Sequence, residues 1–128
     1  MQMLKQNPAA AYRRVDLDAR IEASASSDLT RICLEEVVQA LGQALAAMDR
    51  NQANASRETL SRAHGIALWL ARSVAQDNPL REQLVHFYGG LATLIRSNVV
   101  KPNAQDIAQA RADFADLLEV ANGVAAAA

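Results

Sequence analysis

The sequence predicts an all-α fold, an antiparallel up-down four-helix bundle with an N-terminal arm or short extra helix packed on it. Three observations support this prediction. Apolar residues recur at alternating steps of three and four along residues 27–124, which is the spacing of one face of a helix. Short polar stretches containing Asn, Asp or Pro separate four such segments, so successive helices should be antiparallel neighbours. The alternation of polar and apolar residues that is typical of strands is absent.

The composition indicates one domain without a highly charged partner. A chain of 128 residues can bury a core, and we expect an arm over residues 1–26, the bundle over 27–124 and a frayed tail over 125–128. The 13 basic and 14 acidic residues are interspersed, which argues against nucleic-acid binding. Cys33 is the single cysteine, so an intramolecular disulfide is excluded. Because no secretion signal or membrane-spanning run is evident, we expect a cytoplasmic protein with no membrane insertion.

The first two helices are delimited by capping residues. Ser26 or Ser27 is expected to cap the first helix, with Asp28 in the first turn, where the helix dipole favours an anion. The polar stretch 49–52 ends this helix, and Asn54 is the candidate cap of the second. The expected core positions are Leu34, Val37, Leu41, Ala44 and Met48 in the first helix and Leu60, Ala63, Ala67, Leu70 and Val74 in the second.

The third and fourth helices begin at clear boundary residues. Asn78 should cap the third helix, with Pro79 at its first helical position. Pro102 and Asn103 end this helix, and Asn103 should cap the fourth. The apolar stripe of the fourth helix contains Ile107, Ala110, Phe114, Leu117, Ala121 and Val124.

The third helix carries two apolar stripes, although a bundle requires only one. The first stripe contains Leu80, Leu84, Phe87, Leu91 and Leu94. The second stripe lies about 90° around the helix and contains Val85, Tyr88, Ala92, Ile95 and Val99. We expect the first stripe to face the core and the second to form a groove for another polypeptide.

Three further residues are expected to belong to this partner-binding groove. Gly89 would provide a flat floor beside the second stripe. Ile66 and Trp69 of the second helix would border the groove, with Trp69 as an anchor, because Trp is enriched at binding hot spots.

Residue patterns typical of catalysis or metal binding are absent, so we expect no enzyme, no metal site and no cofactor. His64 and His86 are on different helices, without a carboxylate or Cys at metal-ligand spacing. Histidine phosphotransfer modules are also helical bundles, and they carry a Lys three residues after the exposed His and then a Gly. Ala67 and Leu68 occupy those positions after His64, which disfavours this alternative.

The arm and the helices together resemble the FliS family of flagellin export chaperones. Tyr12 and the stretch 20–29 are similar to the family's N-terminal motif, a Tyr followed by a Val-Glu-Ala-Ser-Pro-like stretch and a Leu. Ser26 replaces the usual Pro, and the usual Trp late in the last helix is absent, so the resemblance is to a divergent member. The other similar residues are Ala63, Ile66, Leu70 and Val74 in the second helix and Leu84, Phe87, Tyr88, Ser97 and Asn98 in the third.

The resemblance implies a cytoplasmic chaperone that binds the amphipathic C-terminal segment of flagellin, prevents its premature polymerisation and aids its export. An export-gate component or another flagellar regulator would be a further partner. In this family the arm can cover part of the client surface, which implies a plug formed by Tyr12, Val15, Leu17 and Ile21. The alternative is a structural or regulatory bundle that self-associates through the second stripe, and we expect a monomer or weak dimer.

Overall fold

The computed structural model describes residues 26–127, and the side chains of residues 28–122 among them. Four helices follow one another in this range: α1 (Ser26–Asp49), α2 (Ala53–Arg72), α3 (Arg81–Val100) and α4 (Ala104–Ala127). The predicted all-α four-helix bundle is therefore confirmed. The predicted arm lies outside the described residues except for Ser26, so its proposed plug residues Tyr12, Val15, Leu17 and Ile21 stay predictions.

Turns join the helices, and the predicted cap of α2 differs from the observed one. Asn51 has a positive φ of 57° between α1 and α2, a conformation that Asn tolerates better than most residues. The residue that precedes α2 is Gln52, whose carbonyl accepts the Ser56 N–H at 3.0 Å. The predicted cap Asn54 is therefore wrong, because it already lies in the first turn of α2.

The turns before α3 and α4 both depend on an Asn side chain. Asn78 Oδ1 accepts the N–H of Leu80 at 2.8 Å, but α3 begins at Arg81 and the residue that precedes it is Leu80. The predictions of Asn78 as the cap and Pro79 as the first helical residue are therefore wrong, because the Asn78 bond closes a turn before the helix. Asn103 Oδ1 accepts the N–H of Asp106 at 3.1 Å, which confirms Asn103 as the cap of α4. Such bonds satisfy N–H groups that have no partner within the helix.

The helices form an incomplete ring. α1 packs along α2 and α4, and α2 also packs along α3, whereas α3 and α4 approach each other much less. The core lies among all four helices and includes Leu34, Leu41, Leu60, Leu70, Ile95, Ile107 and Phe114. None of the helices in the described range is both long and apolar enough to cross a membrane.

The predicted core positions of α1, α2 and α4 are largely confirmed. Most of them are buried, whereas Met48, Leu117 and Ala121 are half-buried, as is Val74 just after the end of α2. The side chain of Val124 lies outside the described ones. Periodicity alone therefore identifies the inner faces of three helices. The exception is α3, which has two apolar faces, so periodicity does not identify the buried one.

Candidate partner-binding groove

The second stripe of α3 is mostly enclosed by the protein's own helices. Tyr88, Ala92 and Ile95 are 4%, 2% and 0% exposed, and only the end residues Val85 and Val99 are half-buried. The prediction that this stripe forms an open groove is therefore wrong. The side chains of Tyr88, Ala92 and Ile95 belong to the core and are enclosed in this conformation, whereas those of Val85 and Val99 are partly exposed.

A row of alanines on α2 explains why the second stripe is enclosed. Ala63, Ala67 and Ala71 recur at four-residue spacing and lie on one face of α2. His64 is next to this face, and Arg96 of α3 is close enough to lower the pKa of His64, after the larger lowering by burial. The alanine face is therefore turned towards α3. Small side chains at a contact let two helix axes approach closely, which helps to enclose Ala92 and Ile95 of the second stripe.

The two predicted groove residues of α2, Ile66 and Trp69, do not share one open surface with the second stripe. Ile66 is buried, so its predicted place at the border of an open groove is wrong. Trp69 is half-buried and lies two turns beyond Arg62, whose guanidinium is 3.6 Å from the carboxylate of Glu36 on α1. Trp69 therefore lies on the side of α2 that faces α1, away from α3. Gly89 is half-buried, and no neighbouring helix or side chain of the described region lies within 4 Å of a Cβ built on it.

The first stripe of α3, predicted to be core, is the less covered one. Leu91 is buried, but Leu84, Phe87 and Leu94 are half-buried, and Leu80 just before the helix is 56% exposed. The prediction of a fully core-facing first stripe is therefore wrong. Surplus apolar surface exists on α3, as the doubled pattern indicated, but it lies on the side that faces α4.

Aromatic rings fill the middle of the space between α3 and α4. The Phe114 ring centroid is 6.5 Å from that of Phe87, in an edge-to-face arrangement, and 6.4 Å from that of Tyr88, stacked. Such pairs stabilise a contact beyond simple burial of area. Because these rings are large, they connect the two helices while keeping the axes apart, which agrees with the sparse backbone approach of α3 to α4.

The facing side of α4 supplies a second apolar wall. Leu117 and Ala121 are half-buried, and Val120 is 63% exposed. We call the surface between these residues and Leu84, Phe87 and Leu94 the α3–α4 groove. Phe114 and Leu91 lie at its buried floor, and Leu80 and Val120 are its most exposed apolar residues.

A buried asparagine closes one end of the α3–α4 groove. Asn98 is 1% exposed, and its Oδ1 accepts the N–H of Asn103 at 2.6 Å. Its Nδ2 donates to the Leu94 carbonyl at 3.0 Å and lies 3.5 Å from Asp106 Oδ2. These bonds tie the end of α3 to the start of α4. The opposite end of the groove, near Leu80 and Val120, has no such connection among the described residues.

The ionisable groups of the core have pKa values set mainly by burial. Burial and, to a smaller extent, the nearby Glu36 carboxylate together raise the pKa of the Cys33 thiol to about 12. The pKa of Tyr88 is also raised, first by burial and then by Cys33. Both groups therefore stay protonated and uncharged near neutral pH, as their apolar surroundings require.

The described part of the chain offers little for metal or acid–base chemistry. No three of its His, Cys, Asp and Glu side chains are grouped so that they could hold a metal ion. His86 lines an open depression at the start of α3, together with Asn78, Pro79, Arg81, Glu82 and Val85. His64 is on a different helix and is half-buried. The apolar α3–α4 groove is therefore the stronger candidate site.

Comparison with known proteins does not assign the chain to a family. No family model matches the sequence, and no curated protein matches it.

Proposed function

We propose that this protein is a cytoplasmic, non-enzymatic export chaperone that binds the amphipathic C-terminal segment of flagellin in the α3–α4 groove. The single observation that carries the proposal is the row of half-buried apolar side chains along α3, facing a second apolar wall on α4. Flagellin as the client rests on the resemblance of the residues to the FliS family. The proposed binding would keep the segment from polymerising before export.

The spacing of the groove residues suits a helical guest. Leu84, Phe87 and Leu94, together with the buried Leu91, continue the three-four spacing over three turns of α3. An amphipathic helix docks by placing its own apolar anchors, spaced in the same way, into such a groove. The guest would cover side chains that the four helices leave half-buried.

Coupled folding of the client also suits a chaperone. A segment that is disordered when free loses conformational entropy on binding, which keeps the affinity moderate for the area it covers. Moderate affinity allows release at the export apparatus. In this proposal the arm residues Tyr12, Val15, Leu17 and Ile21 occupy the groove when the client is absent, and the client displaces them.

Calorimetry with the last forty or so residues of a flagellin tests the proposal. Val120→Asp places a charge in the groove at an exposed position, so we expect at least about a tenfold loss of affinity with little loss of stability. Leu80→Asp should weaken binding in the same way, and Asp directly before a helix is a favourable cap. Ile32→Asp, on the exposed part of α1, is the matched control and should bind like the wild type.

Two results would contradict the proposal. The first is no detectable binding at high micromolar concentration, and the second is equal weakening by Val120→Asp and Ile32→Asp. A stable dimer that Val120→Asp dissociates, without flagellin binding, would instead support the self-associating bundle. Tyr88→Asp and Ile95→Asp are unsuitable for this test because both residues are buried.

A further inference from the structure

The wall of the α3–α4 groove that belongs to α4 is bordered by carboxylates. Asp106 and Asp113 are two turns apart and half-buried, and Asp116 is exposed one turn before Val120. Asp113 likewise lies one turn before Leu117, so each of these two acids neighbours an apolar groove residue. We call Asp106, Asp113 and Asp116 the acidic lip.

The acidic lip is not neutralised within the described part of the chain. Its ion pairs join Arg31 to Asp28 and Glu35, and Arg62 to Glu36, and none includes a carboxylate of α4. The lip contacts amide groups instead. Asn98 Nδ2 lies 3.5 Å from Asp106 Oδ2, and Gln109 Nε2 donates to Asp113 Oδ1 at 3.0 Å. Among the described residues, no cationic side chain offsets the negative charge of the lip.

The basic residue of α4 points away from the groove. The Nε of Arg111 donates to the Val38 carbonyl on α1 at 3.2 Å, and its guanidinium packs against Gly42. This places Arg111 on the side of α4 that faces α1, whereas Asp106 contacts α3. The helix is thus divided lengthwise into a face bonded to α1 and an acidic lip beside the groove.

The opposite lip of the groove, on α3, carries no comparable charge. Gln83, Gly90 and Ser97 recur at seven-residue spacing on the solvent side of the first stripe, and all three residues are exposed and uncharged. The groove therefore has one negative edge and one neutral edge, and a charged guest would have a preferred way to lie in it.

We infer that the α3–α4 groove selects an amphipathic helix that has Lys or Arg along one edge of its apolar stripe, with this basic edge against α4. The inference rests on the proposed function of the groove as a docking site and specifies the chemistry of its guest. Apolar anchors supply the contact area, and the charges determine orientation and exclude helices with acidic edges.

The expected charge effect is moderate because the lip is partly solvated. Exposed ion pairs change an equilibrium by only a few-fold each, and two such pairs together by about tenfold. Asp113 is half-buried beside Leu117, so a guest that covers it also shields the pair from solvent. Salt should reduce the preference, since the screening length shortens to a few ångströms near about 1 M.

Two synthetic amphipathic peptides test the inference without relying on flagellin. Both have the same leucine stripe at three-four spacing, and the residues along one edge are Lys in one peptide and Glu in the other. Affinity for the full chain is measured by fluorescence anisotropy at low and high salt. We expect the Lys peptide to bind about ten times more tightly at low salt, and the preference to shrink at high salt.

Matched variants assign this preference to the acidic lip. Asp113→Asn with Asp116→Asn should bring the two peptides to within about twofold of each other. Glu58→Gln with Glu119→Gln makes the same change in net charge at exposed positions outside the groove, and it should retain most of the preference. A thermal melt of each variant confirms that the bundle is folded.

The outcomes separate this inference from the proposed function. Equal affinity for both peptides, binding of neither, or the same loss of preference in both double variants would overturn the inference. If the Lys peptide binds as expected while the flagellin segment does not, the acidic lip is supported and the flagellin assignment fails. If flagellin binds and the two peptides do not differ, the groove is a docking site without charge selection.

Discussion

α3 packs closely against α2 on one side and only loosely against α4 on the other. Towards α2, the small residue Ala92 faces the alanines of α2, the axes come close, and Ile95 is completely buried. Towards α4, Phe87 meets Phe114 through ring contacts, the axes remain apart, and Leu84 and Leu94 are half-buried. The size of the contact residues, rather than their hydrophobicity, distinguishes the closed side from the open one.

A small bundle can enclose a core and still leave one of its helix–helix contacts partly open. Three well-packed interfaces, α1 with α2, α2 with α3 and α1 with α4, are sufficient to enclose a core. The fourth interface is joined at one end by Asn98 and in the middle by aromatic rings. Within the described residues, the rest of the apolar surface between α3 and α4 stays partly exposed.

The largest difference between the two sides should appear at the adjacent residues Ile95 and Leu94. Ile95→Ala opens a cavity in the closed side and should lower the free energy of unfolding by about 2–5 kcal/mol. Leu94→Ala removes a half-buried side chain from the open side and should lower it by about 1 kcal/mol. Urea denaturation of both variants measures the difference, and equal losses would show that the two sides are packed alike.

Asn98→Ala should have the next largest effect, because it removes the polar connection between α3 and α4. The N–H of Asn103 loses its buried acceptor, and an unsatisfied buried group costs about 1–3 kcal/mol. Asn54→Ala, at an exposed position of α2, is the control and should change stability by less than about 0.5 kcal/mol. If thermal and urea unfolding show no difference between the two variants, Asn98 does not stabilise the connection between the end of α3 and the start of α4.

Gly89 and Gly90 test whether α3 requires close approach at mid-helix. Both are helical, and no neighbouring helix or side chain of the described region lies within 4 Å of an added Cβ. Alanine at each position should therefore stabilise the protein by about 0.5–1 kcal/mol. Gly42→Ala is the control, since its Cβ would lie 3.2 Å from Arg111 Nε and should bring a smaller gain or a loss. Destabilisation by Gly89→Ala would indicate a neighbour that packs against this surface.

Cys33 reports on the closed core through the pH dependence of stability. Burial raises its pKa from 9.0 to about 12, so the unfolded chain loses the thiol proton first as the pH rises. The free energy of unfolding should therefore decrease above pH 9, by just under about 1 kcal/mol between pH 7 and 9.5. Cys33→Ala should have a flatter profile in urea melts at each pH. Identical slopes in the two proteins would show that the thiol is not enclosed.

The sequence was a good guide to the helices and to three of their inner faces. The buried positions of α1, α2 and α4 each form a single apolar stripe flanked by polar residues, and a period near 3.6 identifies such a stripe without tertiary information. The caps were harder to predict. Asn103 is followed directly by its helix, whereas Asn54 and Gln52 both lie at the start of α2, and the backbone decides which precedes it.

The site could be predicted only in part. Two stripes on α3 indicated surplus apolar surface, but Leu84 and Val85 look equally suited to a core. The choice between them depends on α2, whose alanines admit the second stripe, and on Phe114, whose ring holds α4 away from the first. Both are properties of the neighbouring helices α2 and α4, which the sequence of α3 does not show. Asn98 was similarly ambiguous, because a polar residue at the end of a stripe can be exposed or, as here, buried and hydrogen-bonded.

The most direct test of the open and closed sides of α3 is methyl NMR of the full chain titrated with the flagellin C-terminal segment. We predict progressive shifts of the methyl signals of Leu84, Leu94 and Leu117. The methyl signals of Ala63 and Ala67, enclosed between α2 and α3, should stay unchanged. Shifts concentrated at Val85, Val99 and the alanines of α2, with Leu84 and Leu117 unmoved, would contradict it.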